Sequence, residues 1–209
     1  MTIPKELKEA ISNLPSKEKD KLIFRLLRKD VCLANRLLFE LVSDQTIEGE
    51  REKIKKQLTR LVERSTLQFY SPGYLNLDVR EMSGMITEHV SRTKDKYGEI
   101  SLNLYMITEI LERNRENILR SSAHKAEKFC AAVIARAFKI LLLIKKMHED
   151  YFVEFEDDVK KLGSLIGDND YLMRAAMFNG LNVNWLISGD IPDDIEKIHK
   201  DVRQRGYLK

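Results

Sequence analysis

A chain of 209 residues is long enough for one large domain or two small ones, with a sizeable buried core. Its residues are 43% hydrophobic and 33% charged, with 9 Gly and 4 Pro, a balance that excludes both a disordered chain and a turn-dense all-β fold. The 36 bases and 33 acids leave a net charge of +3, too even to imply nucleic acid from composition, though charge can still segregate locally. Cys32 and Cys130 are far apart and lack a CxxC or a neighbouring His, so reduced thiols are expected rather than a disulfide framework or a zinc site. The polar start MTIPKELKEA is no secretory signal, and the longest apolar run is too short and too charged for a membrane span, so a cytoplasmic protein is expected.

The elements read in order as helices. Pro4 opens a short one that the Asn13, Leu14, Pro15 run closes. Ser16 is placed as the N-cap of a second, which carries Leu22, Ile23, Leu26 and Leu27. Asp30 caps a third with Val31, Ala34, Leu38, Leu41 and Val42 at helical spacing. A more polar helix runs from about Thr46 to Arg64 with a thin apolar seam. Tyr70 to Gly73 is the clearest break in the chain, because Pro72 fixes φ and Gly73 frees it. The next helix is predicted over Asp78–Tyr97, ended by Gly98 as a C-cap, and another is predicted from Ser101 onward. Between Phe129 and Ile144 only Arg136 and Lys139 interrupt an apolar run, which marks a central helix over about 123–150. Alanines 131, 132, 135 and 137 let neighbours come close to it. Shorter helices follow over 154–166, 170–179, 183–187 and 193–205. No segment alternates with a period of two, so the predicted fold is all-α. It is organised as an N-terminal helical region (1–69) and a helical core with C-terminal short helices (75–209), forming one compact domain.

Two basic stripes are the first functional candidates. Lys125, Lys128, Arg136, Lys139 and Lys146 fall within a sector of roughly 80° on the central helix. Lys53, Lys56, Arg60 and Arg64 align in the same way on the earlier polar helix. Facing one groove, they would form an anion-binding track for phosphate backbones. Facing water, they are ordinary outer faces of amphipathic helices, and neither stripe carries the aromatic residues of a single-strand binder.

Carboxylates are the second. Glu109 and Glu112 form an ExxE pair, and Glu154 and Asp157 an ExxD pair within an acidic run after His148. Such density suits a hard divalent cation. The pairing resembles that of the all-α nucleoside triphosphate pyrophosphatases, and the resemblance implies Mg²⁺ on these four residues and hydrolysis of a nucleotide. The competing reading is a salt-bridged helix face, since Glu109–Arg113 and Glu116–Arg120 stand in the favourable i, i+4 order. Among the histidines, His89 flanks an apolar face and reads as a satisfied core residue. His124, His148 and His199 lie near helix ends.

The tail FNGLNVNWLISGD, over 178–190, resembles the closing turn and helix of repressor-type helix-turn-helix domains through Gly180, Leu181, Val183, Trp185, Leu186 and Gly189. The resemblance implies that these residues pack a core and do not read bases. More broadly, LPSKEKDKLIFRLLRKD, FYSPGYLNLD, DKYGEISLNL and KMHEDYFVEFEDDVKKLGSLIGDNDYLM are similar to a family of uncharacterised bacterial helical proteins, some labelled deoxyuridine triphosphate nucleotidohydrolases. That likeness implies the helical fold. The reading that results is a non-catalytic interaction or scaffold protein without a cofactor. It engages an unknown protein partner, a second copy of itself, or nucleic acid through the basic faces, and no membrane. The alternative is a Mg²⁺-dependent pyrophosphohydrolase.

Overall fold

The computed structural model describes residues 3–208. Its regular structure is eleven α-helices and one 3-10 turn, with no strand among the described residues, so the fold is all-α. An arm of three helices comes first: α1 (Lys5–Ser12), α2 (Ser16–Leu27) and α3 (Val31–Val42). Four long helices follow: α4 (Ile47–Leu67), α5 (Pro72–Thr93), α6 (Lys96–Arg120) and α7 (Ala123–Lys145). A 3-10 turn over Glu149–Tyr151 leads to α8 (Phe152–Gly167), α9 (Asp170–Phe178), α10 (Asn184–Ile187) and α11 (Ile195–Gln204). No described helix is long and apolar enough to cross a membrane.

Side-chain caps fix the starts of five helices, α3 to α6 and α9. Asp30 accepts the Leu33 amide and Thr46 the Gly49 amide, each at 3.0 Å, which supplies acceptors for N–H groups that no earlier turn can satisfy. At α2 the cap position belongs to Pro15, which bonds nothing with its side chain, and Ser16 is already helical. The break at Tyr70–Gly73 is in fact a helix start: Ser71 caps α5 and Pro72 occupies its first turn, six residues ahead of the expected Asp78. That helix stops at Thr93, where Lys94 takes a left-handed φ of 58°. Gly98 therefore does not end α5 but sits in the first turn of α6, under the Asp95 carboxylate that accepts its amide at 2.7 Å. A Cβ on Gly98 would lie 2.0 Å from Asp95 Oδ2, so glycine is required by that close approach. The apolar helix α7 ends at Lys145, short of the expected residue 150.

The successive long helices run up and down. α5 and α6 pack side by side, and α4 and α7 each pack against both without packing closely on one another, so they occupy opposite sides of the α5–α6 pair. α4 thus packs with the bundle across the Tyr70–Gly73 turn, and α3 also rests on α5. α7 is buried along Phe129, Val133, Ile134, Ala137, Phe138, Ile140, Leu141 and Ile144, while Ala131, Ala132 and Ala135 are only half-buried. α6 is at least as central, packing on α4, α5, α7 and α8. α8 runs in the same direction as α6: Phe155 stacks near its start on Tyr97 at 4.9 Å, and Lys161 pairs further along with Glu112 at 2.7 Å. α10 crosses α8 at Gly163, where a Cβ would meet Leu186 Cβ and Ile187 Cγ1 at 2.9 Å. In the tail, Leu181, Val183 and Leu186 are buried, and Gly180 and Gly189 take φ of 72° and 76°.

Candidate functional site

The four carboxylates do not converge. Glu154 lies beside Tyr97, whose hydroxyl is pushed up by burial and then by that carboxylate. Glu109 is twelve residues further along α6, roughly 18 Å at 1.5 Å per residue. Glu109 is held by Arg113 at 2.8 Å and Glu112 by Lys161 at 2.7 Å, while Asp157 is exposed. No cluster of three metal-ligating side chains occurs among the described residues. Glu109, Glu112, Glu154 and Asp157 are therefore not one Mg²⁺ site: Glu154 sits at the Tyr97 end of α6, and Arg113 and Lys161 already engage Glu109 and Glu112.

The basic stripes do not share a groove either, since α4 and α7 flank the α5–α6 pair from opposite sides. On α4, Lys53 pairs with Glu50 at 2.8 Å and Arg64 with Glu81 at 3.2 Å, leaving Lys56 and Arg60 exposed without an acid partner among the described residues. On α7, Lys139 pairs with Glu99 at 2.8 Å and Lys146 with Glu196 at 3.3 Å. Arg136 is not on a wet face at all. It is partly buried, donates to Ser83 Oγ at 3.2 Å and to the Ala132 carbonyl at 3.1 Å, and burial lowers its pKa. Only Lys125 and Lys128 of that stripe remain exposed and unpaired among the described residues. Lys128 borders an open groove of about 640 Å³ between α7, α9 and the stretch Gly206–Leu208. Cys130 lies at its floor, its thiol pushed up to about 12 by burial, which leaves no thiolate for nucleophilic chemistry.

A network that the sequence reading missed locks the bundle at one end. Arg51 of α4 makes a forked pair with Asp95, at 2.7 and 2.9 Å, and His89 of α5 donates from Nε2 to the same carboxylate at 3.1 Å. Beside it, Glu50 bonds Lys53 and Arg92. Burial alone would raise the Asp95 carboxyl, but hydrogen bonds from His89, Arg51 and the Gly98 amide outweigh it, and the net shift is strongly downward. Glu50 is likewise lowered, first by Lys53, against burial and with help from Arg92. His89 is only half satisfied, since its buried Nδ1 has no partner. Apart from His89 Nδ1, the buried polar groups here are satisfied by one another, which is the arrangement of a structural clasp. The signal in sequence was Asp95 three residues before Gly98, a capping acid with room for its carboxylate.

The arm is different. No described residue of α1, α2 or α3 is buried. Nine of the twelve residues of α3 (VCLANRLLFELV) are apolar, a composition proper to a buried helix. Its main support is α5, where Arg92 lies over the Phe39 ring at 5.8 Å. Val31, Leu38 and Val42 fall within about 40° of one another on the helix, and with Leu41 they are 59–77% exposed. α2 adds Ile23, Phe24 and Leu26, and α1 adds Leu7 and Ile11. Together these side chains, spread over three loosely joined helices, expose on the order of 1,000 Å² of apolar surface. The criterion that singled out α7 applies equally to α3, but the short length of α3 concealed it.

The chain matches no family model, no curated protein and no solved structure.

Proposed function

We propose that the protein is a non-catalytic interaction protein: a rigid helical bundle that holds out an N-terminal arm for docking on another protein surface. The observation that carries this reading is an arm of three helices, rich in apolar residues, without a single buried residue. Water-exposed apolar surface costs roughly 25 cal/mol per Å², and a folded chain that keeps this much of it on one segment offers that segment to a partner. Nucleic-acid association draws no comparable support, because the stripes lie on opposite sides and half of their members are paired or tucked in.

A photoreactive residue in place of Leu41, introduced into the full chain in its native cell, tests the reading. Irradiation is expected to yield a discrete protein adduct, with the same residue in place of Glu63 on α4 as the control. Adducts no more abundant at 41 than at 63 would remove the arm as a docking element.

A further inference from the structure

Resting on that reading, we infer that the arm's occupant is a second copy of the same chain, seated α3 against α3 about a two-fold axis. Three observations favour this occupant. The first is area: taken over all three helices, the arm exposes about as much apolar surface as the ~800 Å² per partner of a standard stable interface, so the half that one copy supplies takes in α1 and α2 beside α3. The second is charge. Residues 1–45 carry nine bases against seven acids, near enough to neutral for two arms to meet without repulsion, and too balanced to favour an anionic bilayer. Within α3 the two charged residues, Arg36 and Glu40, already pair with each other at 2.6 Å, so no ion is left seeking a partner across the contact.

The third is the shape of the apolar face. Val31, Leu38 and Val42 follow each other at i, i+7 and i+11, a narrow apolar stripe that only Asn35, exposed near its middle, interrupts. Stripes of this kind are self-complementary when two helices pack antiparallel, because each side chain fills the gap between two on the other helix. An isologous contact needs this property, since the same patch must serve on both subunits. With α5 already beneath α3, a second α3 on its outer side would complete the cover that the all-round apolar sequence demands.

Sedimentation equilibrium of the full chain across ~1–100 µM, beside the Leu38→Glu/Val42→Glu double variant, tests the inference. The wild type is expected to sediment at twice the chain mass. The variant should dissociate with a Kd raised about 100-fold or more, while keeping its helical circular dichroism, because the substituted side chains point away from the bundle. A p-benzoylphenylalanine in place of Leu38 should crosslink to give a product of twice the chain mass. A wild type that is monomeric at 100 µM overturns the self-pairing, as does a variant that stays dimeric. A monomer that crosslinks to a different protein overturns the self-pairing but leaves the docking arm standing. A monomer that crosslinks to nothing in the native cell removes both. Co-sedimentation of a monomeric wild type with phosphatidylcholine–phosphatidylglycerol vesicles overturns it in favour of a lipid surface.

Discussion

α3 and α7 are both helices that sequence alone would bury, and they have opposite fates. In α7, Phe129, Ile134, Phe138 and Leu141 are enclosed by α5, α6 and α9, whereas in α3 the equivalent apolar positions meet α5 on one side and water elsewhere. Periodicity is enough to make either segment helical, but stability comes from what the apolar face touches. The bundle and the arm should therefore behave as units of different strength, with the arm opening at a small fraction of the global free energy.

The sharpest way to break this contrast is to remove one apolar side chain from each unit. Phe138→Ala should destabilise the bundle by about 3–5 kcal/mol in urea titrations, since the ring is fully enclosed and would leave a cavity. A loss below about 1 kcal/mol would mean that α7 is not part of a close-packed core. Next in size is the clasp. Asp95→Ala removes the N-cap of α6 and strands the Arg51 guanidinium, at a cost of about 3 kcal/mol.

The same residue gives a pH signature. A carboxyl depressed on folding contributes stability above the ordinary carboxylate range near ~4, and loses it as pH falls through that range toward the depressed folded value. The stability gap between wild type and Asp95→Asn should thus be full at pH 6 and shrink steadily toward pH 2. A gap that stays constant would show that the charge of Asp95 contributes nothing beyond its shape. The smallest effect belongs to the arm. Leu41→Ala, measured at submicromolar concentration where association adds nothing, should change stability by less than about 0.5 kcal/mol. A loss near that of Phe138→Ala would erase the distinction between arm and bundle.

Much of the fold was legible in the chain. The helical rhythm, the cap at Asp30 and the apolar face of α7 are local features that follow directly from residue order. What was misjudged were non-local matters and the choice between two meanings of a turn residue. Pro72 and Gly73 signal equally a chain break or a helix start, and Ser71 decides for the start by accepting an amide. Gly98 can end a helix or clear space for a capping carboxylate, and only the Asp95–Arg51 pair, 44 residues apart in sequence, settles which. The stripes and carboxylate pairs were read on single helices, where their spacing is real. Whether two helices share a groove depends on packing order, and placing α4 and α7 across the α5–α6 pair separates the stripes. Arg136 shows the same limit, its place on the helix being readable but not the Ser83 hydroxyl that draws it inward.

The packing order also has a kinetic meaning. Apart from α11 on α7, every close pairing of helices joins neighbours in the chain or helices one removed. Few long loops must close before contacts form, and chains of this kind fold in roughly microseconds to milliseconds. During synthesis each long helix can pair as soon as the next has emerged, so the bundle can assemble from its N-terminal side while α8 to α11 are still being made. The four-residue α10, which fits only where Gly163 leaves space on α8, must wait for that helix to be in place, and the return of α11 to α7 closes the sequence.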